Sequence, residues 1–193
     1  MISERVILGI DPGTQVFGWG VISIIEGRAT YVAMGINSLR GEPDHFTRLG
    51  RIFKEVETLI KTYNPTELSI EAPFYGKNIQ SMLKLGRAQG AAIAAALYAG
   101  MPIYEYAPRK IKQSITGKGA ASKEQVALIL SKILSVNELP ESYDATDGLA
   151  AALCHFLTSS VPSTLKGAKK SSSSRGSGAK WDAFVKNNPN RIR

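Results

Sequence analysis

The chain has 193 residues, 44% of them apolar and 21% charged, with a formal net charge of +8. This is the composition of a soluble globular domain, long enough to bury a core and to carry an appendage. The longest apolar stretch, Ala91 to Ala99, is too short to cross a bilayer, and Met1 to Arg5 has no signal-peptide layout. The single cysteine, Cys154, excludes an internal disulfide, so a reducing, cytoplasmic setting without a membrane is expected.

The first element is Val6 to Asp11, in which almost every position is apolar until Asp11. It reads as the central strand of a sheet, buried on both faces, with Pro12-Gly13 turning the chain directly after the carboxylate. Phe17 to Ile25 and Ala29 to Ile36 are β-rich and flank the turn Glu26-Gly27, giving an antiparallel meander of three strands. Asp44 is a candidate N-cap for a helix whose apolar face is Phe46, Leu49, Phe53, Val56, Ile60 and Tyr63, stopped at Asn64-Pro65. Glu67 to Glu71 is a short strand that again ends in a carboxylate. Asn78 to Ala99 is a long helix with Ile79, Met82, Leu83, Gly86, Gly90, Ile93 and Leu97 on one face. Its Gly86, Gly90 and Ala94 would let a second backbone approach closely, within the subunit or across a dimer. Ile103 to Tyr106 is a strand, and Pro108 opens a helix ending near Gly117. Ser122-Lys123-Glu124-Gln125 is a capping box for the next helix, and the last helix runs from Tyr143-Asp144 to about Leu157. The order predicts an α/β fold: a mixed five-stranded sheet, antiparallel meander first and parallel strands after, flanked by helices. Residues 1–158 form this domain. Residues 159–193 are expected to be a flexible basic tail, its Ser/Gly/Lys-rich composition interrupted only by Trp181, Phe184 and Val185.

Charge is distributed unevenly. From Ser159 onward there are eight Lys and Arg against one Asp, and residues 72–123 hold eight basic residues against one acidic, Glu105. A basic belt with a basic tail points to a polyanionic partner, although scattered solubilising lysines produce the same count.

Four acids stand out against that belt. Asp11 and Glu71 each end a strand, and if those strands are parallel neighbours both carboxylates lie at one sheet edge, the usual ligand edge of open α/β sheets. Asp144 and Asp147, three apart, share one face at the start of the last helix, and His155 lies eight residues further on roughly the same face. Such a set needs a cation, and oxygen ligands without a Cys or His cluster suit Mg²⁺ or Mn²⁺. Each member also has a plainer explanation: a turn-capping Asp11, an ordinary strand-end Glu71, helix-capping Asp144 and Asp147, a packing histidine. Only the combination in this order is specific.

That combination resembles the RuvC family of Holliday-junction resolvases within the RNase H-like nucleases. The likeness covers residues 5–158 and rests on Gly9-Ile10-Asp11-Pro12-Gly13-Thr14, Ile70-Glu71 with Phe74 and Lys77-Asn78, and Leu83 to Gly90. It continues through Glu105-Tyr106-Ala107-Pro108, Ile111-Lys112, Ser122 to Val126 and Asp144 to Ala150. The resemblance implies a homodimeric, Mg²⁺-dependent endonuclease that nicks opposing strands of a four-way DNA junction symmetrically in recombination and repair. It implies two ions per site, with Mn²⁺ able to substitute, held by Asp11, Glu71, Asp144 and Asp147. It puts His155 near the metal site, Lys112 and Lys123 beside the scissile phosphate, and Phe74 stacked on a base. Lys77, Lys84, Arg87 and Lys118 are expected DNA contacts, and a RuvA–RuvB branch-migration complex is an expected partner. Gly148 replaces an Ala common in the family, an exchange expected to be harmless, and nothing carries over to the tail. A non-catalytic junction binder on the same fold is the main alternative. An actin-like phosphotransferase is a weaker one, since it needs a second, similar domain.

Overall fold

The computed structural model describes residues 5–73, 78–136 and 143–160. Strands β1 (Arg5–Asp11), β2 (Val16–Ile25) and β3 (Arg28–Ser38) form the meander, followed by α1 (His45–Tyr63), β4 (Glu67–Glu71) and α2 (Ile79–Tyr98). Then come β5 (Ile103–Tyr106), α3 (Pro108–Thr116), α4 (Lys123–Leu134) and α5 (Asp144–Ser159). The sheet order is β3-β2-β1-β4-β5, with β1 and β4 parallel, β4 and β5 parallel, and the meander antiparallel. The mixed sheet flanked by helices is therefore as expected. The apolar strand β1 is central because both of its faces are covered. Leu8 and Ile10 enter a core with α1 and α2, while Ile7 enters a second core with α3, α4 and α5.

Local signals set the helix ends. The Asp44 carboxylate accepts hydrogen bonds from the Phe46 and Thr47 amides, and Asn64 closes α1 in the left-handed region (φ 45°). Gly117 does the same for α3 (φ 74°), and both halves of the Ser122/Gln125 capping box are formed on α4.

Two faces differ from expectation. On α1, Val56 is buried and Leu49, Phe53, Ile60 and Tyr63 pack against the core as expected, but Phe46 is 75% exposed, and Ile52 and Leu59 are buried beside them. The packed face begins at Leu49, so Phe46 in the first turn forgoes the ~2 kcal/mol that burying a ring would bring. On α2 the buried residues are Ala88, Gln89, Ala92, Ala95 and Ala96, whereas Ile79, Leu83 and Leu97 are exposed. The helix carries two apolar stripes, and the small-residue one packs on the core. A Cβ added at Gly86 or Gly90 would meet nothing within 4 Å, so no backbone of the described chain lies against that face.

Candidate active site

Glycines bring α5 onto the sheet. A Cβ built on Gly9 would stand 2.1 Å from the Gly148 carbonyl oxygen, and one on Gly20 would stand 2.4 Å from the Leu149 Cα. Gly18, which pairs with Asp11 across β1 and β2, faces the Asp144 carbonyl oxygen at 2.3 Å from its virtual Cβ. Gly148 meets the Trp19 backbone in the same way, at 2.5 Å. An alanine at Gly148 in this chain would thus require the α5 and β2 backbones to shift apart. The close approach sets the first turn of α5 over the end of β1.

Along β4, Glu67, Ser69 and Glu71 alternate with the buried core residues Leu68 and Ile70 and so face α5. The Ser69 hydroxyl donates to the Ala151 carbonyl at 2.6 Å. Four-residue steps on the helix run against two-residue steps on the strand. Asp147 is near Glu71, Ala151 meets Ser69, and His155 meets Glu67. Parallel pairing of Ile10 with Ile70 brings the next residues, Asp11 and Glu71, to the same edge.

A cleft of about 230 Å³ at that edge is lined by Asp11, Glu71, Asp147, Lys112 and Lys123. Lys123 Nζ bridges Asp144 Oδ1 at 3.0 Å and Asp147 Oδ2 at 2.6 Å. Lys112 Nζ donates to the Ala121 carbonyl at 2.9 Å. Burial, with the Asp147 and Asp144 charges adding to it against Lys123, pushes the Asp11 carboxyl up to about 6. Burial and the Asp11 and Asp147 charges push Glu71 up to about 8. Asp147 is raised as well, by burial first. Burial would lower the Lys123 ammonium, but its hydrogen bonds and ion pairs with Asp147 and Asp144 raise it. The cleft holds more negative charge than its two lysines balance. Among the described residues, no three Asp, Glu, His or Cys side chains are grouped to hold a metal as they stand. The Lys123 ammonium lies between two of the four carboxylates.

His155 is not part of this cleft. Eight residues at ~1.5 Å rise put it about 12 Å down α5 from Asp147. There its Nε2 lies 2.5 Å from Glu67 Oε2, and its Nδ1 lies 2.7 Å from the Tyr106 hydroxyl. Tyr104 stacks on the ring at 4.0 Å, and Arg5 pairs with Glu67 at 2.8 Å. The shared face was read correctly, but the height along the helix separates His155 from the acids. His155 thus sits with Glu67 and Tyr106 rather than among the acids.

Lys84 and Arg87 are exposed on α2, and Lys118 is exposed in the loop after α3. Phe74 and Lys77 lie outside the described residues, as does the tail from 161. One residue was missed. Gln89, 8% exposed, donates from its Nε2 to the Glu71 carbonyl (3.3 Å) and to Glu105 Oε1 (2.6 Å), bracing the strand end that carries Glu71. A single Gln on an otherwise alanine-lined face was the available signal.

This geometry can be set beside known proteins. A family model described as crossover junction endodeoxyribonuclease RuvC matches residues 7–155. Proteins of that description from Cytophaga hutchinsonii and Bacteroides fragilis are each 50% identical to the chain. They cover 98% and 100% of it, and 89% and 98% of their own lengths. Both alignments run past the family model into the tail. A solved structure described as Thermus thermophilus RuvC in complex with Holliday junction substrate superposes with a TM-score of 0.71 at 31% identity. That match covers 80% of this chain and 94% of the other. The yeast mitochondrial Holliday junction resolvase Ydc2, 15% identical with a TM-score of 0.58, shares the fold. With the family model spanning most of the domain and half-identical relatives spanning nearly all of the chain, this protein belongs to the RuvC family of crossover junction endodeoxyribonucleases.

Proposed function

We propose that the chain is a structure-specific endonuclease that resolves four-way DNA junctions by symmetric, metal-dependent nicking, with Asp11, Glu71, Asp144 and Asp147 as the metal-holding acids. The observation that carries this reading is the convergence of acids from β1, β4 and α5 on one sheet edge, beside two lysines. An all-carboxylate donor set fits a hard divalent cation, Mg²⁺ with Mn²⁺ as a substitute, in a two-ion site. The carboxyl groups of Asp11 and Glu71 are raised by burial first and by their neighbouring carboxylates second, both of which a bound cation would offset. When bound, such cations activate water and stabilise the departing oxygen of an in-line displacement.

The protein's own groups do the rest. Lys123 Nζ pairs with Asp144 and Asp147, and its ammonium would supply positive charge beside a scissile phosphate held at these acids. Lys112, fixed by the Ala121 carbonyl, adds a second positive charge where the transition state accumulates negative charge. Gln89 keeps the end of β4 in place. Lys84, Arg87 and Lys118, with Phe74 and Lys77, contact the DNA arms.

Paired incision calls for two sites, so the active form is a homodimer. The stripe of Ile79, Leu83, Gly86, Gly90 and Leu97 on α2, exposed in one chain, supports it. Among the described residues no helix is long and apolar enough to cross a membrane. The enzyme works in the cytoplasm, where a RuvA–RuvB complex would deliver junctions to it. The test is cleavage of a synthetic four-way junction beside linear duplex, with and without Mg²⁺. Magnesium-dependent paired nicks confined to the junction are expected.

A further inference from the structure

A second cavity, of about 420 Å³, lies between the first turns of α1 and α2 and is lined by Thr14, His45, Arg48, Ser81 and Lys84 among others, none of them acidic. His45 Nε2 and Arg48 Nε are buried there with no hydrogen-bond partner. The Arg48 Nε–H without an acceptor costs about 1–3 kcal/mol, and His45 Nε2, donor or acceptor according to its tautomer, stands beside it without a partner of its own. The remaining guanidinium contacts of Arg48 are long, 3.5 Å to the Thr14 carbonyl and 3.4 Å to the Glu42 carbonyl. The nearby Asp44 carboxylate is occupied by the Phe46 and Thr47 amides and the Thr47 hydroxyl. Both helices also direct the positive ends of their dipoles toward this space. The local field is visible on His45. Burial, then the Arg87, Lys84 and Arg48 charges, hold its imidazole below the usual value.

We infer that this cavity seats a backbone phosphate of the DNA strand next to the cleaved position, with His45, Arg48, Ser81 and Lys84 as its ligands. An imidazole, a hydroxyl and two permanent cations, with Asp44 as the one neighbouring carboxylate and its oxygens engaged by the Phe46 and Thr47 amides, are the chemistry that recognises a phosphodiester. The location fits a strand already held at the acids. Thr14 follows Asp11 by three residues, at most about 11 Å of chain. At ~3.4 Å axial rise per nucleotide, that puts the seat within about three nucleotides of the cut. A phosphate fixed there sets which phosphodiester reaches the carboxylates, so the seat is a register device. The inference rests on the nuclease reading, but its tests separate from it.

The full-length protein has two histidines, His45 and His155, so their ring signals in an NMR spectrum are assignable through one His45→Gln variant. Without metal, a short duplex oligonucleotide titrated into the protein should shift the His45 signals saturably and leave those of His155, enclosed by Glu67, Tyr106 and Tyr104, in place. This readout needs no cleavage. The second test replaces single phosphates of the junction by neutral methylphosphonates. One position within about three nucleotides of the cut should weaken wild-type binding about tenfold, and His45→Ala/Lys84→Ala should be indifferent to that position alone. An unmoved His45 signal at saturating DNA overturns the inference, as does a methylphosphonate profile unchanged by the double variant. Failure of the wild-type protein to nick junctions would instead overturn the nuclease reading.

Discussion

At the scale of single residues, the cleft is a balance between four carboxylates and two lysines. Neutralising any acid, as in Asp11→Asn, should abolish nicking while junction binding persists, because phosphate contacts rather than the acids supply the affinity. Parallel loss of both in a gel-shift and cleavage pair would contradict that division. Lys123→Met should slow single-turnover cleavage by roughly 10²–10³-fold. The raised carboxyls also make the metal-free protein pH-sensitive. Burial, with the Asp11 and Asp147 charges, pushes the Glu71 carboxyl from an ordinary 4.5 up to about 8 in the fold. Its contribution to stability is therefore complete below about 4.5 and lost as pH rises through about 8. Glu71→Gln has no such charge to bury. In melting experiments its advantage over the parent should grow from pH 5 to pH 9 and shrink when Mg²⁺ is added, with each kcal/mol worth about 2–4 °C in a chain of this size. A gap independent of pH would show that the folded carboxyl titrates normally.

At the scale of elements, the decisive contact is α5 on β1 and β2 through glycine. Gly20→Ala forces a Cβ into the Leu149 backbone. It should cost about 1–3 kcal/mol in urea unfolding, and it should lower cleavage beyond what that loss explains, because α5 carries Asp144 and Asp147. Unchanged stability would mean the helix moves freely, and the acids with it. Much of this architecture was legible in the sequence: the buried strand ending in Asp11, the β4 carboxylate, the caps at Asp44 and Ser122, and the paired acids opening α5. What was not legible depends on a third dimension. The spacing from Asp147 to His155 gives a shared face but not that two helical turns put His155 beside Glu67. The periodicity of α2 offers two apolar stripes, and only the packed core selects the alanine one. Gly148 is unremarkable as a letter and becomes restrictive only when Trp19 lies against it.

At the scale of the whole molecule, the exposed α2 stripe and the uneven charge set the expectations. Leu83→Glu should convert a sedimenting dimer to monomer and remove paired nicking while the fold persists; a dimer that survives it would place the contact elsewhere. Truncation after Ser160 removes a segment of strongly basic composition. It should weaken junction binding most at low salt and reduce the salt slope by about 0.9 per lost phosphate contact. An identical slope would show that the tail makes none. The central claim is that the converged acids cut four-way junctions, and one assay tests it most directly: full-length protein and its Asp11→Asn variant with a synthetic junction and a linear duplex of the same sequence, with Mg²⁺ or with chelator. The account predicts symmetric paired nicks on the junction alone, only with Mg²⁺ and only by the wild type, with the variant still binding. Nicks that persist in Asp11→Asn, or a junction left intact by wild-type protein that binds it with Mg²⁺ present, would contradict it.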